Sequence, residues 1–179
     1  MRIYLTGSLS VGAVAIGFLW IAFLTLAIRS EEIHTLDSYD PSISFDMDVL
    51  LDAIQKVENP SKNRNLIGDR HLTNMAYGIY QIRQPLLDDI NNTIVGADKL
   101  QKLWGSSCLT TNDMRKDGLA RWCARSYLIH YGRAYQRQTG YLPSSATYIR
   151  IYNGGPDGWK KNSTIPYMHK VFNQLGYSN

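Results

Sequence analysis

Apolar side chains fall along this chain in two regimes. Residues 9–28 (LSVGAVAIGFLWIAFLTLAI) contain no charged side chain, whereas beyond residue 46 apolar positions recur at helical spacing between polar ones. About 20 apolar residues suffice to cross a hydrocarbon core roughly 30 Å thick. The first stretch reads as an uncleaved signal anchor, with a cleaved signal peptide and a buried core helix as the alternatives. It is longer than the apolar core of most signal peptides, and Thr25-Leu26-Ala27 makes a poor cleavage site. Arg2 lies on one flank, and on the other Arg29 is followed at once by Glu31 and Glu32. That bias favours a cytoplasmic amino terminus, with the rest of the chain on the periplasmic, envelope or secreted side. Residues 30–45 are polar, include Pro41 and read as a tether. The expected organisation is a transmembrane signal anchor over 1–29, a tether over 30–45 and one folded domain over 46–179, long enough for a single core.

Within that domain Val49, Leu50, Ala53, Ile54 and Val57 mark a helix that Asp46 or Ser44 can cap and Pro60 must stop. Residues 61–76 are polar and irregular. Residues 78–82 suit a short strand or the start of a helix. Pro85 predicts a helix opening there and running to about Thr93, and a shorter one follows over 97–104. The longest helix is predicted from Thr111 or Asn112 to about Gln138. Its buried face would carry Leu119, Trp122, Cys123, Ser126, Tyr127, His130 and Ala134, with Gly140 at its exit. Ser144 or Ser145 should cap a helix through Tyr152 that Gly154-Gly155-Pro156 ends. A last helix should have Ser163 as cap, Pro166 in its first turn and Gly176 beyond its end. The fold class is therefore α+β, mostly α.

Charge and rare residues narrow the function. The chain carries 19 Lys and Arg against 15 Asp and Glu, a formal +4, and two of those positive charges are Arg2 and Arg29 beside the apolar stretch. No run of basic residues exceeds the Lys160-Lys161 and similar pairs, so nucleic-acid binding is not indicated. A mild positive balance suits an anionic polymer such as a bacterial wall. The two cysteines, Cys108 and Cys123, are too few for a zinc site. In an exported domain they are expected to form a disulfide, the alternative being two buried free thiols. The four histidines are scattered at 34, 71, 130 and 169, so neither a metal site nor a cofactor is expected. Asn91-Asn92-Thr93 and Asn162-Ser163-Thr164 match the glycosylation acceptor pattern.

Candidate chemistry centres on Glu58, where the first helix of the domain stops. A carboxylate there faces the negative end of the helix dipole, and apolar surroundings would favour its protonated form still further. Asp69, in the polar turn Gly68-Asp69-Arg70, is placed to stay ionised. A protonated and an ionised carboxyl together are what cleavage of a glycosidic bond requires. A second cluster, Tyr148 to Lys160, combines paired glycines, an amide and aromatic rings. The glycines let backbone approach a ligand, and the rings offer flat apolar faces to sugars. Tyr77, Tyr80, Tyr152, Trp159 and Tyr167 are the candidate aromatics of a cleft.

Ala-Ile-Gln-Lys-Val-Glu58, Gly68-Asp69, Tyr77-Gly-Ile-Tyr-Gln-Ile82, Arg150-Ile-Tyr-Asn-Gly-Gly-Pro-Asp-Gly158 and Ser163-Thr-Ile-Pro-Tyr-Met-His-Lys-Val171 occur in that order. Together they resemble the invertebrate-type (destabilase-like) lysozymes over roughly residues 48–174. Gly-x-x-Gln-Ile and Tyr-Asn-Gly-Gly are also similar to segments of lytic transglycosylases. The resemblance implies a lysozyme-like domain that cuts the β-1,4 bond between N-acetylmuramic acid and N-acetylglucosamine in peptidoglycan. It implies Glu58 and Asp69 as catalytic residues, and Tyr80, Gln81, Tyr152, Asn153 and Gly154 as glycan contacts. A lytic transglycosylase giving 1,6-anhydro products and a non-catalytic glycan-binding or scaffolding protein are the rival expectations. The low cysteine count departs from the cysteine-dense secreted animal members.

Overall fold

The computed structural model describes residues 46–177. The expected anchor (1–29) and tether (30–45) lie outside the described residues. Among the described residues, no helix is long and apolar enough to cross a membrane.

Helix α1 (Met47–Glu58) opens on Asp46, whose carboxylate accepts from the Asp48 amide at 2.8 Å. It buries Leu50, Ala53 and Ile54 of the predicted stripe together with Leu51, whereas Val49 is exposed and Val57 only half-buried, so the buried face is turned towards Leu51. Three two-residue strands follow, β1 (Ile67–Gly68), β2 (Ala76–Tyr77) and β3 (Ile82–Arg83). They form an antiparallel sheet in the order β1-β2-β3, pairing Ile67 with Tyr77 and Tyr77 with Ile82. The strand-or-helix ambiguity at 78–82 thus resolves as a tight turn closing on a strand. Its reason is Gly78 at φ +75°: a Cβ there would meet the Met114 carbonyl oxygen at 2.1 Å.

Pro85 sits in the first turn of α2 (Gln84–Asp89), which widens into a π-helical turn over Ile90–Ile94. Helix α3 spans Ala97–Trp104 and ends on left-handed Gly105. The longest predicted helix is broken at its start. Thr110 and Asp113 form a reciprocal capping box over a 3-10 turn (Thr111–Arg115). Lys116 then turns extended (ψ 103°) before α4 (Asp117–Thr139) begins. The break seats buried Met114 against the β2–β3 turn, which a continuous helix would carry away. Helix α4 runs through the domain and buries Ala120, Cys123, Ala124, Tyr127, Leu128, Gly132 and Tyr135, so its apolar surface is wider than one stripe.

Ser144 caps α5 (Ser145–Gly154) by accepting from the Thr147 amide at 3.2 Å. Helix α6 (Ile165–Gln174) grows out of a 3-10 turn at Asn162–Thr164, so Ser163 lies inside that turn and does not act as a cap. Thr164 is buried instead, and its hydroxyl lies 3.0 Å from the Gly158 carbonyl and 2.7 Å from that of Lys161. Helix α6 packs on α1 and α5, and α4 packs on α1, α2 and α5. This brings the end of α1 beside the sheet and the last two helices.

The expected disulfide is not formed: Cys108 is exposed and Cys123 buried, both as free thiols. The loop before the 3-10 turn is held by buried Asn91, whose amide accepts from Leu109 N and donates to Leu109 O, both at 2.9 Å. That double bond drives Leu109 into the core and leaves Cys108 at the surface. In the folded domain the Asn91 amide nitrogen is therefore buried and bonded to the Leu109 carbonyl.

Candidate active site

Several elements converge on one cleft of about 540 Å³. The end of α1 contributes Val57 and Glu58, and the sheet and its loops contribute Asp69, Ala76, Gln81, Ile82 and Arg83. Helices α5 and α6 close the other side with Tyr152, Asn153, Tyr167 and Lys170, and Gly155 lies just past α5. Both carboxylates singled out from the sequence therefore open into the same space.

Glu58 sits half-buried where α1 stops, because Asn59 turns the chain there. Asn59 is completely buried, with its side chain donating to Asn63 O at 2.8 Å and accepting from Ser61 Oγ at 2.8 Å. Its carbonyl accepts from the Gln55 side chain at 2.6 Å. These bonds replace the helix continuation that Pro60 forbids and fix where Glu58 points. The Tyr167 hydroxyl donates to Glu58 Oε1 at 2.6 Å. Burial pushes the Glu58 carboxyl from an ordinary 4.5 up to about 7, with the Asp69 charge adding to the rise. The Tyr167 hydrogen bond and the positive charges of Arg83 and Lys170 oppose it and lose. The outcome is a carboxylic acid that holds its proton near neutral pH, as a general acid must.

Asp69 stands in a different setting. It is partly exposed, ion-paired with Arg83, and left-handed in backbone (φ 51°). Arg83 also donates to the Asn74 carbonyl at 3.2 Å, so one guanidinium gathers both ends of the β1–β2 loop. Gln81, the next strained residue (φ 47°), donates its side-chain amide to Gly78 O at 2.8 Å. Its Oε1 fills the space a Cβ on Gly68 would need. Left-handed backbone at two non-glycine residues of one cleft is strain of the kind found at working sites.

The Tyr148–Lys160 cluster proves to be a built corner. Arg150 is buried and donates to Thr164 Oγ1 at 3.1 Å and to Lys161 O at 3.3 Å. Gly158 packs so tightly that a Cβ would lie 2.0 Å from the Arg150 carbonyl oxygen. This corner presents Tyr152, Asn153 and Gly155 to the cleft. Gly154, expected to contact glycan, faces Thr164 instead, where a Cβ would approach Cγ2 to 2.5 Å; Gly155 takes its place at the cleft wall.

The structure also corrects the aromatic set. Tyr80 is 1% exposed and does not line the cleft. Its hydroxyl accepts from Arg121 at 2.8 Å and its carbonyl accepts from the Tyr152 hydroxyl at 2.6 Å, so it braces Tyr152 from behind. Trp159 packs edge-on against Tyr135 at 5.0 Å, and Tyr77 belongs to β2 outside the cleft lining. Tyr152 and Tyr167 remain at the cleft, joined by Tyr127 from α4. Asn59, Arg83 and Lys170 were not foreseen; only Asn59, placed before Pro60 at a helix end, carried a local signal. Among the described residues no group of His, Cys, Asp and Glu is arranged to hold a metal ion.

No protein-family model matches this chain, and no curated protein matches it significantly. Solved structures do. The lysozyme of Tapes japonica superposes with a TM-score of 0.52 at 19% identity, over 70% of this chain and 87% of that one. A chain from the complex of Aeromonas hydrophila PliI with Meretrix lusoria lysozyme gives 0.51 at 23% identity, over 70% and 87%. The domain is similar to these proteins in backbone, and its fold is lysozyme-like.

Proposed function

We propose that this protein is a membrane-anchored muramidase that hydrolyses the β-1,4 bond between N-acetylmuramic acid and N-acetylglucosamine in peptidoglycan. One observation carries the reading: a half-buried Glu58, with its carboxyl raised to about 7, opens into a cleft that also holds Asp69. The lysozyme-like fold supports it. Glu58 protonates the glycosidic oxygen as the bond breaks, and the Asp69 carboxylate stabilises or captures the positive charge that develops at the sugar carbon. Gln81, Tyr152, Asn153 and Gly155 bind the glycan through amides, a ring face and open backbone. Residues 9–28 hold the domain on the outer face of a membrane, within reach of the wall.

The test is Glu58→Gln on purified sacculi. Release of reducing ends should fall to background while the thermal unfolding of the variant stays cooperative. Turnover at the wild-type rate in this variant removes Glu58 from the reaction and with it the proposal.

The Arg83 ion pair favours a second reading. An aspartate already neutralised by a guanidinium is a weaker nucleophile, which leaves Glu58 as the carboxyl of the cleft without an ion pair among the described residues. A lytic transglycosylase needs only that, using the glutamate first as acid and then as base. Products with 1,6-anhydro ends in the mass spectrum, together with activity surviving Asp69→Asn, select this reading over hydrolysis.

A further inference from the structure

We propose that Tyr167 is the positioning residue of Glu58: its hydroxyl occupies Oε1 and so assigns the transferable proton to Oε2. The inference rests on Glu58 being the acid of the proposed reaction, but its physical core can be measured without turnover. Tyr167 donates to Oε1 at 2.6 Å across 109 residues of sequence, from α6 to the end of α1. The Tyr167 bond is the one hydrogen bond to the Glu58 carboxyl seen among the described residues, which leaves Oε2 unbonded there, and Glu58 lines the cleft. A neutral carboxyl has one carbonyl-like and one hydroxyl oxygen. An O–H donor bound to one of them makes that oxygen the acceptor and places the acidic proton on the other.

The same bond acts again during the reaction. As the Oε2–H bond breaks, its proton passes to the glycosidic oxygen and the sugar C–O bond cleaves, with the bonding electrons leaving on that oxygen. Glu58 is left as a carboxylate, and the Tyr167 bond becomes charge-assisted and stronger. Tyr167 therefore favours proton donation while keeping the carboxylate oriented for its return to the acid form.

The groups facing Glu58 are Tyr167 and Lys170 from α6, Tyr152 from α5, and Arg83 and Asp69 from the sheet side. Of these, Tyr167 alone is bonded to it. Burial raises the Tyr167 hydroxyl far above its usual range, so it stays a donor throughout the working pH range. Because the bond favours the ionised carboxyl, its loss must move the Glu58 titration upward.

Tyr167→Phe deletes that oxygen and keeps the ring. Carboxyl carbon NMR of Glu58 in the folded variant should show its midpoint raised by roughly one pH unit. On sacculi, kcat at acidic pH should drop several-fold with KM unchanged, and the basic limb of the rate profile should move up with the midpoint. A midpoint that stays or falls overturns the proposal. In the unmodified protein, the Tyr167 Cζ resonance should titrate with the Glu58 midpoint and lose that step in Glu58→Gln; a resonance blind to Glu58 refutes it even if the phenylalanine variant does not fold. If the midpoint moves as stated but the unmodified protein releases nothing from sacculi, the muramidase reading fails and the Tyr167 assignment stands.

Discussion

Replacing Glu58 by glutamine tests whether burial really holds a proton on this side chain, through stability as well as activity. The folded-state value of about 7 stands against an ordinary 4.5. Below the lower value the carboxyl is protonated in folded and unfolded chains alike, and its ionisation costs the fold nothing. Between the two values only the folded protein binds the proton, so stability falls as pH rises. Above the upper value the folded protein carries a buried carboxylate and the full cost is present. At about 1.4 kcal/mol per pH unit, that cost is about 3 kcal/mol. Glutamine has the same shape, cannot ionise, and keeps an Oε1 for Tyr167. The variant should thus match the parent near about pH 4 and exceed it by about 3 kcal/mol above about pH 8, roughly 10 °C in Tm. Paired urea titrations of parent and variant across that range measure the difference directly, since contributions from every other group largely cancel. A difference that is flat with pH, or that favours the parent in alkali, shows that Glu58 is solvated in solution and refutes the electrostatic reasoning.

Further outcomes follow from neighbouring geometry. Asn59→Ala strips the turn after α1 of its buried side-chain bonds and should cost about 3 kcal/mol in chemical denaturation, with activity lost before the fold melts. Gly158→Ala forces a methyl against the Arg150 carbonyl oxygen and should lower stability by on the order of 2 kcal/mol, read as a drop in Tm. Iodoacetamide should label Cys108 in the native protein and spare Cys123, whose thiol burial pushes up to about 12, and reductant should leave Tm unchanged. Mass spectrometry of the alkylated protein and a melt with and without dithiothreitol check these points.

Much of the helical frame is legible from local chemistry. Asp46 and Ser144 as caps, Pro85 in a first turn and Gly140 at an exit are each read within one turn of chain, and each appears where the pattern predicts. The apolar spacing locates the helices but not their buried faces in full: Val49 stands exposed, and Trp122, Ser126, His130 and Ala134 are only half-buried. Glu58 could be singled out because a helix stops beside it, which Pro60 announces. The break at Lys116 could not be read this way, since the periodicity on either side is helical and only the seat of Met114 against Gly78 demands it.

What escaped the linear chain depends on contacts between distant segments. Tyr80 and Tyr152 are the same residue type in similar company, yet one is buried as a brace and the other faces the cleft; which is which depends on Arg121 and on the packing of α4 and α5. Gly154 and Gly155 are adjacent and chemically identical, and only the approach of Thr164 separates the packing glycine from the one that lines the cleft. Local sequence specifies helices because their hydrogen bonds and caps are satisfied within a few residues. The acidity of Glu58 and the pairing of Asp69 arise from desolvation and charge supplied by α6 and β3, and those exist only once the chain has folded back on itself.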